Sequence, residues 1–561
     1  MCDAATYVSC VRHADVFAVV TCGLALWLLG RSSSMEDVES PSSTEVLGSP
    51  AVDGPEEEVD ETPKELRADP QPGQGGTWQE DSAVLEWMLC RKEGGEWVTG
   101  ELESAAQPVM YHELLWRDWQ DLSDPPLDQQ FDFAVLSYNI LSQDLVDQNP
   151  QLYQHCAPQI LDWDYRWPSI LQELQHWEAD ILCLQEVQDD HYRERVEPSL
   201  RALGYSCHYK RRTGRKTDGC CTCFKAQRFT LLAERHVEFF RPAINVLNRD
   251  NVALVLLLQP QLPEGAPDGR ATAPRLCVAN THLLYNPQRG DIKLAQLALL
   301  LAEVETLSRN PGGSRCPIIL CGDLNATPDS PLYQLLYNGV LNYRDLPAWK
   351  VSGQERYCST PNPRLLCSAL WPDFLGVSGR CQYVKHQAAQ VKDRRTYNRQ
   401  RLLELRYCHC ALQRPEHLVM MKGVTDKKPD PRREPAHDIL DNGEPSFRSQ
   451  PLLLQHSLDL TSVYTHFLPA KGRFEVSTMA LGRGRTVDYI FYSAEPIPVR
   501  GTKHGLRFYK DTQLKLLGRL CLLSEEDLWA AQGLPNPFCC SDHLCLLARF
   551  SLDLSAAGGQ E

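Results

Sequence analysis

Beyond residue 131 the chain reads as short apolar runs separated by polar turns. Runs at 133–138, 181–184, 276–279, 317–321, 487–492 and 544–550 have the length and composition of β-strands. Stretches of helical period lie between them. Asp291 is placed to cap a helix whose apolar side is Ile292, Leu294, Leu297, Leu300, Leu301 and Val304, stopped by Asn310, Pro311 and Gly312. A second helix starts at Ser330, with Pro331 in its first turn, and ends before Gly339. Strands alternating with helices and hairpins predict one layered α/β domain over 131–555.

The texture differs elsewhere. Residues 16–30 form an apolar run broken only by Thr21 and followed by Arg31. It is shorter than the roughly 20 residues a membrane span needs, so 1–31 is expected to associate with a membrane surface. Residues 32–107 are rich in Ser, Pro, Gly and acids and read as a disordered acidic linker. The segment 108–130 carries Leu114, Leu115, Trp116 and Trp119 at helix-like spacing, which predicts a helix docked on the domain that follows. Over about 345–450 the strand and helix pattern lapses, as in a surface insertion; 397–405 is helical in character and 427–445 is Pro-rich and charged.

Length and composition add bounds. With 561 residues, 43% of them hydrophobic, the chain can bury one large core plus extensions. Its net charge of −16 repels nucleic acid, so any phosphate contact must come from local basic segments or a bound cation. The acids crowd 36–69, whereas Arg and Lys crowd 380–406. None of the 22 cysteines falls in a paired zinc pattern; Cys220, Cys221 and Cys223, or Cys408 and Cys410, would supply only half a site. Reduced thiols and a cytoplasmic location fit this pattern, with the endoplasmic reticulum or Golgi surface as the membrane in reach of 16–30.

Polar residues recur where the apolar runs end: Asn139, Glu186, His282, Asp323 with Asn325, Asp488, and Asp542 with His543. Each alone is an ordinary turn former or polar contact. Together they are the residue types that phosphoester hydrolysis uses: oxygen ligands for a cation, an orienter or base for water, and donors for developing charge. Oxygen ligands favour Mg²⁺ or Mn²⁺ over zinc. No G-x-S-x-G elbow or G-x-x-x-x-G-K-[ST] loop is present.

Six motifs occur in order: Ser137-Tyr-Asn-Ile-Leu141, Leu184-Gln-Glu-Val187, Asn280-Thr-His282, Gly322-Asp-Leu-Asn325, Asp488-Tyr-Ile-Phe491 and Ser541-Asp-His543. This order resembles the exonuclease-endonuclease-phosphatase superfamily, in the branch of nocturnin and the carbon-catabolite-repressor deadenylases. Leu161-Asp-Trp-Asp-Tyr-Arg-Trp167 and Asp218-Gly-Cys220 resemble the Angel proteins of that branch. The resemblance implies a two-sheet α/β sandwich. It implies Glu186 as the principal metal ligand, with Asn139 beside it and Asp542 near a second ion. It also implies that Asp323 and Asn325 orient or deprotonate water, that His543, oriented by Asp488, stabilises the phosphoryl group, and that His282 donates to a phosphate oxygen.

The branch offers two reactions on RNA 3′ ends, removal of adenylate and clearing of 2′,3′-cyclic phosphates. In its deadenylases the loop before the aspartate of the Asp488 motif resembles an aromatic-rich run. Here 478–485 reads Thr-Met-Ala-Leu-Gly-Arg-Gly-Arg. Lost stacking, worth about 1–3 kcal/mol per base, with arginines gained, favours an end phosphate. Lys210, Lys216, Asp218, Asn251, Arg483 and Arg485 are assigned to substrate binding. Cys221 and Thr222 stand where relatives more usually have alanine after Cys220, which alters the fit there. Tyr397, Leu402 and Leu403 match the Tyr-x-x-x-x-Leu-apolar pattern of partners of the cap-binding translation initiation factor 4E. An alternative from another class is a translation-associated scaffold with an idle site.

Overall fold

The computed structural model describes residues 115–123, 130–262, 274–358, 363–384, 452–480, 482–497 and 508–554. All lie in the unit Gly100–Glu561. The apolar run at 16–30, the acidic linker, Cys408 with Cys410, and Tyr397, Leu402 and Leu403 lie outside the described residues. Among the described residues no helix is long and apolar enough to cross a membrane.

The strands used below are, in chain order, β1 (Trp119–Asp121), β2 (Gln130–Asn139), β3 (Ile181–Gln188), β4 (Tyr205–Arg211), β5 (Asp218–Lys225), β6 (Phe229–Glu238), β7 (Val252–Pro260), β8 (Leu276–His282), β9 (Ile318–Asp323), β10 (Leu460–Ser462), β11 (Thr478–Ala480), β12 (Arg483–Arg485), β13 (Asp488–Ser493), β14 (Leu514–Leu520) and β15 (Leu546–Asp553). Sheet I runs β1-β14-β15-β2-β3-β5-β4 and sheet II runs β10-β13-β9-β8-β7-β6. Helices used below are α1 (Trp163–Trp177), α2 (Gly290–Ser308) and α3 (Pro331–Asn338).

The period-two alternation of a strand sends successive side chains to opposite faces, and that builds the layers. In β3, Ile181 and Cys183 enter a core shared with Ile319 and Cys321 of β9, while Leu182 and Leu184 pack with Ile170 and Leu174 of α1. On the far side of sheet II, Ile318 and Leu320 of β9 pack with Leu294, Leu297 and Leu301 of α2. The order is therefore helix, sheet I, sheet II, helix, an α/β sandwich. Burying each such aliphatic side chain contributes about 1.5–3 kcal/mol.

The helix from Pro331 matches its sequence signals: the Ser330 side chain accepts from Tyr333 N at 3.2 Å, and Gly339 ends the helix at φ 68°. Three sequence expectations need correction. Asp291 does not cap α2, because Arg289 is the N-cap; the Asp291 carboxylate lies within the first turn, bonded to Arg289 and to Arg364 at 2.9 Å. Nor does α2 have a wet side, since 17 of its 19 residues are buried. The cover is the start of the expected surface insertion. Ala348, Val351, Leu366, Val377 and Cys381 belong to the α2 core, and a Cβ on Gly290 would meet Val351 Cβ at 2.2 Å. These few residues of the insertion are thus core, while most of its other described residues stay at the surface.

The third correction concerns the segment before the domain, expected to be helical. Its described end forms β1, paired antiparallel with β14 through Trp119↔Leu520. Arg117 fixes it, donating to Cys521 O at 2.8 Å and Cys545 O at 2.7 Å. Helical spacing over so few residues gave way to the hydrogen bonds offered by an open sheet edge. The described cysteines are free thiols, and Cys220, Cys221 and Cys223 are buried in β5.

Candidate active site

β2 runs parallel to β3, and β8 runs parallel to β9, so these strands deliver Asn139, Glu186, His282 and Asp323 from their C-terminal ends. β13 is antiparallel to β9 with Asp488 opposite Asp323, and β15 is antiparallel to β2. Strands that run the other way begin where the first set ends. Asp488, Asp542 and His543 therefore reach the same edge from strand starts.

The side chains meet there. Asn139 Nδ2 donates to Glu186 Oε1 at 3.0 Å and Asp323 Oδ2 at 3.3 Å. Ser142 N donates to Glu186 Oε2 at 3.1 Å. His543 Nδ1 lies 2.8 Å from Asp488 Oδ2, and Ser477 Oγ donates to that same oxygen at 2.6 Å. His543 Nε2 is 3.9 Å from both Asp323 Oδ2 and Asp542 Oδ1. Asn325 Nδ2 donates to Leu283 O at 3.1 Å, and the same nitrogen lies 3.0 Å from His282 Nε2. A carbonyl can only accept, so that Asn325 atom is the amide nitrogen and His282 Nε2 is the acceptor. The His282 ring proton then sits on Nδ1, a buried donor without a partner.

Local strain aims two of these groups. Glu186 has φ 55°, at a register shift between Leu184 and Val187 in the β3–β5 pairing, so a bulge turns its carboxylate out of the pleat. Asn325 has φ 47° and is held by its own N–H donating to Asp323 Oδ1 at 2.8 Å. Such conformations cost about 1–3 kcal/mol each and persist where the surroundings enforce them. Gly322 makes the approach possible: a Cβ there would stand 1.9 Å from Thr281 O.

Charge in this pocket is unbalanced. Burial, then the Asp542 and Asp218 carboxylates, push the Glu186 carboxyl up to about 7. Burial, with Asp488 nearby, also raises Asp323. Burial pulls down on His543, but Asp488, Asp542 and Asp323 hold it well above the ordinary histidine range. Burial lowers His282, aided by Arg212 and His543. Glu186, Asp218, Asp323, Asp488 and Asp542 thus face His543 and Arg212 and, farther off, Arg166 and Lys293, so that carboxylates outnumber cations at this edge. Asp323, Asp488 and His543 could hold an ion by spacing, yet His543 Nδ1 and Asp488 Oδ2 are bonded to each other, which leaves only Asp488 Oδ1 buried and unpartnered. The better opening is at Glu186 and Asp542, whose Oδ1 is buried without a partner. A buried set of hard oxygen donors with uncompensated charge fits a divalent cation. Asn139 now turns its amide nitrogen to Glu186, while its Oδ1 accepts from Leu141 N at 3.1 Å; ligation would need the amide turned over.

The residues assigned to substrate divide. Arg483 and Arg485 lie on β12, hairpin partner of β11, and β11 is joined to the site by Met479 N donating to Asp542 O at 3.0 Å. Arg483 is exposed and Arg485 half-buried. Lys210 is ion-paired with Glu238 and Arg212 with Asp218 at 3.2 Å, both on a cleft of about 550 Å³ that Arg193 and Arg211 also line. Lys216 is exposed beside it. Asn251 is not on this surface: it is buried behind His282, donating to His282 O at 3.1 Å and accepting from Gln296 at 3.1 Å.

Supporting residues went unassigned in the sequence. Arg166, fully buried in α1, donates to Ile140 O at 3.0 Å and Leu141 O at 2.8 Å and so clamps the turn after Asn139. Tyr153 OH donates to Asp542 Oδ2 at 3.1 Å, and Ser541 Oγ to Asn139 O at 2.7 Å. Arg166 could have been found, since it lies in the Leu161–Trp167 motif; Tyr153 carries no sequence signal.

A sandwich with this edge constellation defines a class of phosphoesterases, and the chain belongs to the Endonuclease/Exonuclease/phosphatase family, whose model matches residues 136–543. Within that class it is similar to human protein angel homolog 1, at 54% identity over 499 residues, covering 85% of this chain and 74% of that protein. Human protein angel homolog 2 is 47% identical over 427 residues, 76% of this chain and 70% of the relative. The crystal structure of ANGEL2, a 2′,3′-cyclic phosphatase, in complex with adenosine-2′,3′-vanadate matches with a TM-score of 0.59 at 44% identity, covering 78% of this chain and 99% of that one.

Proposed function

We propose that the protein removes 2′,3′-cyclic phosphates from RNA ends, using Mg²⁺, for which Mn²⁺ can substitute. The observation that carries this reading is the likeness to ANGEL2, a 2′,3′-cyclic phosphatase, at 44% identity over 78% of this chain. The β11–β12 hairpin supports it, because it brings Arg483 and Arg485 to the site and has no aromatic residue to stack on a base. Glu186 and Asp542, with Asn139 once its amide is turned, would hold the ion, which supplies charge neutralisation at the phosphoryl oxygens. Asp323 and Asn325 hold the attacking water. Positively charged His543, fixed by Asp488, stabilises the negative charge that builds on phosphorus oxygens, and the spare Nδ1–H of His282 donates to one of them. Water adds to phosphorus and one P–O bond to ribose breaks; a second hydrolysis releases phosphate and leaves the diol.

The test offers the full chain two RNAs, one ending in a 2′,3′-cyclic phosphate and one in oligoadenylate with free hydroxyls, with magnesium and then with chelator. Phosphate release from the first, abolished by chelator, is expected. Shortening of the second without processing of the first would replace this reading with deadenylation.

A binding function accompanies the chemistry in this proposal. The pattern at Tyr397, Leu402 and Leu403 is assigned to the translation initiation factor 4E, and the run at 16–30 to contact with a membrane from the cytoplasmic side. Tyr397→Ala with Leu402→Ala should lose retention on immobilised 4E and keep phosphate release. Undiminished retention overturns the assignment.

A further inference from the structure

One buried cation stands outside all the roles above. Lys293 lies in α2 at 0% exposure, and its ammonium donates to Asn325 O at 2.6 Å, Gln354 Oε1 at 2.9 Å and Tyr285 O at 3.3 Å. An ammonium has three N–H donors, and here each has one neutral acceptor. No carboxylate bonds it, Asp323 acting on it only through space, and burying a charge so weakly compensated costs several kcal/mol. Burial accordingly pulls the Lys293 pKa down to about 7. Its neighbours along α2, Ile292, Leu294 and Ala295, are buried and apolar.

The acceptors show what the cation does. Tyr285 follows β8, Asn325 follows β9, and Gln354 belongs to the chain segment that covers α2. Lys293 ties these three segments to one point. Asn325 is the residue held at φ 47°, and its amide bridges Leu283 O and His282 Nε2. Nothing in its own turn bonds the Asn325 carbonyl among the described contacts, so the lysine supplies the hold on that side.

We propose that Lys293 is a positioning residue for phosphoester hydrolysis: through its bond to Asn325 O it keeps Asn325 in the strained conformation that aims its amide at His282 and sets both side chains against the phosphate. The inference rests on the phosphoesterase reading and adds to it a residue that touches no substrate.

The experiment is a double-mutant cycle on the full chain with Lys293→Met, Asn325→Ala and both together, measuring kcat, KM and Tm. Misplacement by about 1 Å is worth roughly 10²-fold in rate, so Lys293→Met should lose about that in kcat with KM unchanged. In the Asn325→Ala background the further loss should vanish, because the lysine then has no amide to aim. Additive losses, or a lower Tm with unchanged kcat, would overturn the proposal. If Lys293→Met is not recovered folded, Gln354→Ala carries the same cycle with a smaller expected loss, again absent without the Asn325 side chain. The cycle is run on whichever of the two RNAs the wild-type chain processes. A wrong choice of RNA end then shows in the wild-type control, and a wrong role for Lys293 shows only in the cycle.

Discussion

Sheets I and II end at one edge but bring different chemistry to it. From sheet I come Asn139 and Glu186, with Asp542 and His543 just before β15; here the carboxylates press on each other, and Asp542 Oδ1 is left without a partner. From sheet II come His282, Asp323, Asn325 and Asp488, bonded to one another or to His543, with His282 Nδ1 and Asp488 Oδ1 buried and unpartnered. Carboxylates that press on each other suit a cation, whereas the open atoms on the sheet II side include a donor, His282 Nδ1, which suits a phosphate oxygen. On the proposed mechanism the sheet I side holds the cation and the sheet II side the water and phosphate. The two histidines divide the same way: His543 is raised by its carboxylate neighbours, and His282 is lowered by burial.

The largest effect should come from breaking the sheet I side. Glu186→Gln removes the central carboxylate and several kcal/mol of charge stabilisation, a loss of about 10³-fold or more in kcat. Stability should move the opposite way. The Glu186 carboxyl is raised from 4.5 to about 7, so its ionised form opposes folding above the unfolded value. In chelator the wild type therefore loses up to about 3 kcal/mol as pH rises from near 4.5 to beyond 7, and Glu186→Gln does not. Thermal melts at pH 4 and pH 8 check this. Equal melting of the two proteins at pH 8 without metal would mean that the carboxylates are not in conflict, and the division between the sheets would fail.

Next in size is the contact that joins the sheets, His543 with Asp488. Because the folded-state pKa of His543 is raised, the contribution of this pair to stability is complete below the unfolded histidine value and is lost as pH rises through the folded one. Asp488→Asn should lower kcat by about 10²–10³-fold, the scale of one lost charge-stabilising donor. It should also shift the alkaline limb of the pH–rate profile to lower pH, toward the ordinary histidine value. An unmoved limb would assign that limb to another group.

The contrast between the sheets also explains what could be read in the sequence. Asn139, Glu186, His282, Asp323 and Asp488 were legible because each stands at the end or start of an apolar run, where a sheet must deliver it to an edge. Lys293 was not, and Arg166 only as a member of the Leu161–Trp167 motif, because each lies within a helical stretch, where spacing alone assigns a cation to solvent. Both turn inward only because a second segment covers the helix or a turn offers carbonyls to it. Residues 345–384 looked like insertion because their apolar residues are sparse, yet Ala348, Val351 and Leu366 suffice to seal α2 once it is folded. Likewise β1 pairs with a strand some 400 positions away in the chain, a partner no local period can reveal.

The smallest effect sharpens the phosphate side. Arg483 and Arg485 bond none of the catalytic side chains, yet their hairpin is fastened to Asp542 through β11, so they lie next to the site without belonging to its hydrogen-bonded set. A contact made equally to substrate and to transition state raises KM when it is removed and leaves kcat nearly in place. Arg483→Ala with Arg485→Ala should therefore raise KM for the cyclic-phosphate RNA by about tenfold, if each arginine contributes about 0.7 kcal/mol at a screened surface. The same variant should flatten the dependence of log binding on log salt by up to about 1.4, near 0.7 for each phosphate contact on a single strand. If kcat falls and the salt slope stays, the arginines act in the chemical step, and the hairpin belongs with His543 as part of the catalytic apparatus instead of marking where the RNA chain is held.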